Sequence, residues 1–353
     1  MSRLDRIRTK MREQKLDAFV LTSPENRRYM SGFTGTSAML IITLEKAYLL
    51  TDFRYIQQAT AQAPEFQVVN SGAGFYPSLT ELASQAHKVG FEEDYVNYAD
   101  YLQLKEALPQ AELVPRAKIL TDLRAIKDAE ELACIRQAVK LADDAFAHIL
   151  KFVDVGKTEE EISLELEFAM RRAGASGGSF DFIVASGLRS SMPHGVASPK
   201  KVQQGELLTM DFGAIYQGYC SDITRTICFG EPTEKQREIY DVVLQAQKAG
   251  IAALKPGIQG KEVDAAARKV IADAGYGDKF GHGLGHCVGL AIHEYPRLSL
   301  AEEQILEPGM VITIEPGIYI PDWGGVRIED MALITENGCK VLTQAPKEFI
   351  IIE

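Results

Sequence analysis

The sequence predicts a two-part chain, an α/β domain over residues 1–122 followed by a larger α+β domain over 123–353. Short apolar runs alternate with helical patterns up to about residue 120, and beyond it come longer amphipathic helices and long strand pairs. The second part also echoes itself. Gly174 and Gly275 lie 101 residues apart, Phe180 and Phe280 100, Asp211 and Glu315 104, and Asp222 and Glu329 107. Self-similarity at that distance predicts two related helix-plus-hairpin halves, not a solenoid. A length of 353 residues suits two domains, and 46% hydrophobic residues can build full cores.

In the first part, DAFVLT, AMLIITL, AYLLTD, FQVVN and KVGFE are expected as strands. RLDRIRTKMREQK, RYIQQATAQA, LTELASQAH and DYLQLKEAL are expected as helices. The second part opens on DAEELACIRQAVKLADDAFAHILKF, where Ile135, Val139, Ala142, Phe146 and Ile149 recur at helical spacing. Thr158 with Glu161, and Thr233 with Gln236, fit capping boxes that start two further helices. LLTMDFGAIYQGYCSDITRTICF reads as a hairpin. With Gln217-Gly218 as a two-residue turn, Asp211 pairs with Thr224. Asp211 and Asp222 then share a face on a diagonal, roughly 7–8 Å apart at the backbone. VITIEPGIYIPDWGGVRIEDMALI reads as a second hairpin carrying Glu315 and Glu329. There Val311, Thr313 and Glu315 share a face, as do Arg327, Glu329 and Met331, but the Pro316–Gly325 connection is too long to fix the pairing.

The net charge of −11, without a basic run, argues against a nucleic-acid partner. MSRLDRIRTKMREQ is charged from residue 3, and no stretch approaches the roughly 20 apolar residues of a membrane span. A soluble cytoplasmic protein without a membrane partner is expected. Five cysteines without a CxxC suggest neither a disulfide framework nor a structural zinc site. Cys287, beside His286, reads as a small buried thiol.

Four acids in matched places, flanked by apolar strand residues, would be costly to bury without a cation. Four of the six histidines fall between 194 and 293: His194 in MPHGV, and His282, His286 and His293 in GHGLGHCVGLAIHEYP. The glycines among them let backbone approach a ligand closely; their spacing does not fit a phosphate-binding loop. An oxygen-rich set with one imidazole suits a pair of divalent ions that activate water, so a metal-dependent hydrolase is expected.

MDFG, SDITRT, HGLGHCVGLAIHE, IEPGIY and VRIED stand in the order and spacing of a known family. PENRRYMSGF, TDFRY and LRAIKDAEE add to the match. On these motifs the chain resembles the proline-specific metallopeptidases, Xaa-Pro dipeptidase (prolidase) and aminopeptidase P, over essentially its whole length. The resemblance implies a pita-bread catalytic domain with a pseudo-twofold, preceded by a smaller α/β domain. It implies two divalent metal ions, Mn2+ first and Co2+ or Zn2+ next, held by Asp211, Asp222, His286, Glu315 and Glu329. Glu315 is expected to shuttle a proton as well. His194 and His293 would hold the substrate carbonyl or stabilise the oxyanion, and His282 would line or support the pocket. Arg327 would orient the acids or bind a substrate carboxylate, with Tyr319 linked to it; purely structural pairing is the alternative for both. The implied substrate is a peptide with proline at the second position, and the implied assembly a homodimer. Dipeptidase and aminopeptidase both remain open. The reading from another class is a peptide-binding protein that kept the fold and lost catalysis, although all five ligand positions are filled.

Overall fold

The structure, a computed structural model, describes residues 1–72 and 74–353. The chain divides into two compact units, Met1–Arg124 and Ala125–Glu353.

The first unit runs α1 (Arg3–Glu13), β1 (Ala18–Leu21), α2 (Pro24–Ser31), β2 (Met39–Thr43), β3 (Ala47–Thr51), α3 (Ile56–Gln62), β4 (Gln67–Asn70), α4 (Tyr76–Leu82), β5 (Lys88–Phe91), α5 (Tyr98–Ala107), β6 (Glu112–Pro115) and α6 (Ala117–Ala125). Its strands form one mixed sheet in the order β4-β3-β2-β1-β5-β6. β1, β2 and β3 are linked antiparallel, and β4, β5 and β6 join in parallel. All five expected strands form. The helix expected over LTELASQAH starts earlier, at Tyr76, and ends at Leu82. Three elements were not expected: α2, β6 and α6. In α2 the buried residues are Asn26, Arg27, Tyr29, Met30 and Ser31, so no apolar stripe announces it. Its polar groups find a partner in the buried Glu92 carboxylate, which accepts hydrogen bonds from Ser23 N, Ser23 Oγ and Asn26 Nδ2 at 3.0, 2.5 and 2.7 Å. β6 is four residues long and buries only Val114.

The second unit holds α7 (Ala129–Ile149), α8 (Glu159–Arg172), β7 (Gly177–Gly178), β8 (Ile183–Ser186), β9 (Leu207–Phe212), β10 (Ala214–Tyr216), β11 (Tyr219–Cys220), β12 (Ile223–Phe229), α9 (Glu234–Ala253) and α10 (Gly260–Asp273). It continues through β13 (Gly285–Cys287), β14 (Glu294–Leu298), β15 (Val311–Ile314), β16 (Gly317–Ile320), β17 (Gly324–Arg327), β18 (Asp330–Thr335), β19 (Gly338–Val341) and β20 (Ile351–Ile352). Two helices precede each of two main sheets, β20-β12-β9-β8 and β14-β13-β15-β18-β19. The expected repeat is present as structure. α8 and α10 are both 14 residues long, and each is entered the same way. Thr158 N–H donates to Glu161 at 2.7 Å, and Gln259 N–H donates to Glu262 at 2.8 Å. The expected apolar face of α7 is buried, with Ile135, Val139, Ala142, Phe146 and Ile149 all inside. One core packs Phe146, Ile162, Leu166 and Met170 on Val184, Leu208 and Phe212. Its counterpart packs Ile239, Val243, Val263 and Ile271 on Leu284, Ile312 and Ala332. Each such fully buried side chain contributes about 1.5–3 kcal/mol.

Both hairpins hold their acids in defined register. In the first, Asp211 pairs with Thr224 as expected, and after a gap at Gly213 and Asp222 the same register resumes from Ile215 opposite Cys220 to Tyr216 opposite Tyr219. The turn residues Gln217 and Gly218 have φ of 45° and 78°, the pair of positive values a two-residue hairpin turn needs. In the second, Pro316–Gly325 is not a loose connection. β16 and β17 extend the hairpin, Ile320 facing Gly324, and the tip is only residues 321–323. Ile314 opposes Asp330 and Gly317 opposes Arg327, so Glu315 and Glu329 face each other directly. Among the described residues, no helix is long and apolar enough to cross a membrane.

Candidate metal centre

The acids of both hairpins, and the histidines, meet in one cavity of about 680 Å³ in the second unit. Asp211, Asp222, Glu315, Glu329, His194, His282, His286, His293 and Arg327 all line it. The strands bring the acids close because small residues permit it. A side chain at Gly213 would collide with Ser221 O, and one at Gly285 with Thr313 O.

One carboxylate oxygen from each of Asp211, Asp222 and Glu329 lies within 4.8 Å of the others. His286 Nε2 stands 3.6 Å from Asp222 Oδ2 and 3.4 Å from Glu315 Oε1. Asp222 thus belongs to two adjoining groups. Burial, then the charges of Glu329 and Asp211, push the Asp222 carboxyl well above the usual range. Burial and Glu315 do the same to Glu329. Burial also raises Glu315, to about 8.

The donor set fits a cation. Asp211 Oδ1, Asp222 Oδ1 and Glu329 Oε1 are buried without a hydrogen-bond partner, although such groups are normally satisfied. His286 Nδ1 lies 3.1 Å from Cys287 O, which places the ring proton there. Burial depresses the His286 pKa to about 4, so its Nε2 presents a lone pair toward two carboxylates. Three orphaned carboxylate oxygens and an imidazole lone pair, all converging, lack only positive charge. These residues offer hard oxygen donors with one nitrogen, a set suited to divalent ions.

Supporting contacts explain several other residues. His282 Nδ1 lies 2.8 Å from Gly283 O, so its Nε2 accepts from the Tyr319 hydroxyl at 2.9 Å. Tyr319 in turn accepts from Arg327 Nη1 at 2.8 Å, and Arg327 Nη2 donates to Asp211 Oδ2 at 2.7 Å. Arg327 Nε reaches Thr224 Oγ1 at 3.1 Å. The arginine is therefore engaged on three sides with the protein, orienting one acid. His194 and His293 are exposed at the cavity, and the His293 ring meets that of His286 edge-on at 4.5 Å. Cys287 is fully buried, and burial pushes its thiol to about 12, as suits a core residue.

Two threonines and an arginine were missed from the sequence. Thr224 Oγ1 donates to Glu329 at 2.7 Å, and Thr313 Oγ1 to Glu315 at 3.2 Å. Arg225, 1% exposed, donates from Nη1 to Glu329 O and from Nη2 to Asp330 at 2.7 Å. The only signal for the threonines was their place on the acid-bearing faces.

The family described as metallopeptidase family M24 matches residues 133–336, and the creatinase/prolidase N-terminal domain matches 3–126. The Xaa-Pro dipeptidase of Pyrococcus furiosus is 42% identical over 357 residues, covering 99% of each chain. Among solved structures, the Xaa-Pro dipeptidase from Bacillus anthracis superposes with a TM-score of 0.96 at 47% identity, covering 99% of both chains. The X-Pro aminopeptidase from Thermotoga maritima gives 0.91 at 35% identity, covering 97% of this chain and 100% of that one. The second unit is a pita-bread domain and the first its smaller α/β companion. On these matches and on the acid-lined cavity, the chain belongs to metallopeptidase family M24.

Proposed function

We propose that the protein is a binuclear exopeptidase that cleaves the bond between an N-terminal residue and a following proline, in dipeptides or short peptides. The observation that carries this reading is the cluster of orphaned carboxylate oxygens on Asp211, Asp222 and Glu329 beside the His286 lone pair. Asp211, Asp222, His286, Glu315 and Glu329 would hold two divalent ions, Mn2+ by preference and Co2+ or Zn2+ otherwise. Bound there, the ions supply Lewis acidity and lower the pKa of water.

The remaining steps fall to the chain. Glu315 takes the proton of the attacking water and returns it to the departing proline nitrogen. His194 and His293, at the cavity wall, donate to the carbonyl oxygen of the residue before proline and to the oxyanion it becomes. Arg327 keeps Asp211 in place and is itself braced by Tyr319 and His282. Proline preference is supported by the names of relatives, and those from Pyrococcus furiosus and Bacillus anthracis, at 42% and 47% identity, are called Xaa-Pro dipeptidases. A cytoplasmic homodimer completes the proposal, the dimer on the family resemblance and the location on composition.

The test is hydrolysis of an Xaa-Pro dipeptide, an Xaa-Pro tripeptide and longer peptides by protein stripped of metal and then reloaded with Mn2+. The dipeptide should be cleaved, with activity lost on chelation and restored by metal. Equal turnover of Xaa-Ala peptides would refute the proline preference. Bound metal without any turnover would leave a binding protein.

A further inference from the structure

We propose that Glu159 is a positioning residue for this reaction, its buried carboxylate clamping both ends of the segment that carries His194. The inference rests on the role given to His194 above.

Glu159 is the first residue of α8 and is 0% exposed. A helix N-terminus favours a negative charge, but a buried carboxylate still needs donors for both oxygens. It has five. Oε1 accepts from Ser186 N at 2.7 Å and Ser186 Oγ at 2.9 Å. Oε2 accepts from Arg189 Nε at 2.9 Å, Ser198 N at 3.1 Å and Ser198 Oγ at 2.6 Å. Ser186 is the last residue of β8, where the segment leaves the sheet, and Ser198 lies where it returns. Arg189 also donates to Val196 O, on the far side of His194. One carboxylate therefore gathers the start, the inner turn and the end of the segment.

The return of the segment has backbone ties too, Val196 bridging to Ile183 and Ser198 O accepting from Glu160 N at 3.2 Å, but little apolar packing holds the stretch around His194. Leu188, Met192 and Val196 are exposed by 60%, 44% and 52%, so apolar burial contributes little to its order. A further side-chain tie runs through Ser190, whose Oγ accepts from Gly325 N at 2.9 Å and fixes the turn before His194. Pro193, His194 and Val196 all line the cavity, whereas Glu159 does not. Its effect on the reaction is indirect, and the segment it holds is the route proposed.

Glu159→Gln turns one acceptor into a donor facing donors and removes the charge that pairs Arg189. Hydrogen–deuterium exchange of residues 187–197 should rise in this variant with metal content unchanged; unchanged exchange would overturn the clamp. The kcat/KM for an Xaa-Pro dipeptide should fall roughly tenfold to a hundredfold, as a small misplacement can. Placed on a His194→Ala background, the same substitution should cause no further fall. A fall of equal factor in both backgrounds would show a general structural role and overturn the proposal. Arg189→Gln and Ser198→Ala, each removing part of the clamp, serve in the same cycle where Glu159→Gln fails to fold. Absence of Xaa-Pro hydrolysis in the unaltered, metal-loaded protein would count against the functional reading, while the exchange measurement still decides the clamp.

Discussion

Asp222 stands in both acid groups, with one oxygen near His286 and the other buried without a partner. For folding alone it is a liability, since burial and three neighbouring acids all oppose its charge. Such a residue is retained for what it binds, at a cost in stability. Asp222→Ala should remove at least one metal ion and nearly all Xaa-Pro hydrolysis. The same change should raise the melting temperature of the metal-free protein, by about 2–4 °C for each 1 kcal/mol of relieved repulsion. Elemental analysis and thermal unfolding decide it, and full activity with full metal content would sink the assignment. At this scale the sequence was legible where chemistry lives in residue type: the acids and histidines stood out because few other roles suit them. Thr224, Thr313 and the His282–Tyr319 contact did not, because a hydroxyl gains its meaning from the strand opposite; the Tyr319–Arg327 link was expected only from the family resemblance.

The two hairpins deliver their acids differently. Asp211 and Asp222 sit on a diagonal across a tight turn, and Glu315 and Glu329 face each other directly. The first was readable to its register once Gln217-Gly218 was taken as a two-residue turn, whose positive φ values the structure supplies. Replacing Gly218, at φ 78°, by alanine should destabilise the protein by about 1–2 kcal/mol. Chemical denaturation should show this while metal content stays unchanged, because the strands that carry the acids keep their pairing. The second hairpin was read as open at its tip, because the Pro316–Gly325 connection is too long to fix the pairing, and the structure closes it through Asp322 and Gly324 in positive φ. α2 and β6 escaped for a related reason: one buries polar groups and the other is too short to show a pattern.

The acids and histidines at the centre of the second unit tie its stability to pH. The folded pKa of Glu315, about 8, lies above its ordinary value, so the folded metal-free protein keeps a proton that the unfolded chain has released. Stability contributed this way falls as pH rises toward 8. His282 and His286 are shifted the opposite way, to about 4, so their penalty appears only as pH falls below about 6.5. Metal-free protein should therefore melt lower at pH 8 than at pH 6.5. Metal needs the ligands deprotonated, so its stabilising shift should be larger at pH 8. Equal shifts at the two pH values would refute this account. The duplication behind the site was legible from spacing alone, but the seam was not, because Arg225 looks like any strand arginine until its partners are seen. Through that seam Glu329 N–H donates to Thr224 O, Arg225 holds Glu329 O, and Arg327 holds Asp211. Each half thus grips the acid-bearing strand of the other. A shift of one hairpin is therefore passed directly to the other, although Asp211 and Glu329 stand 118 residues apart in the chain.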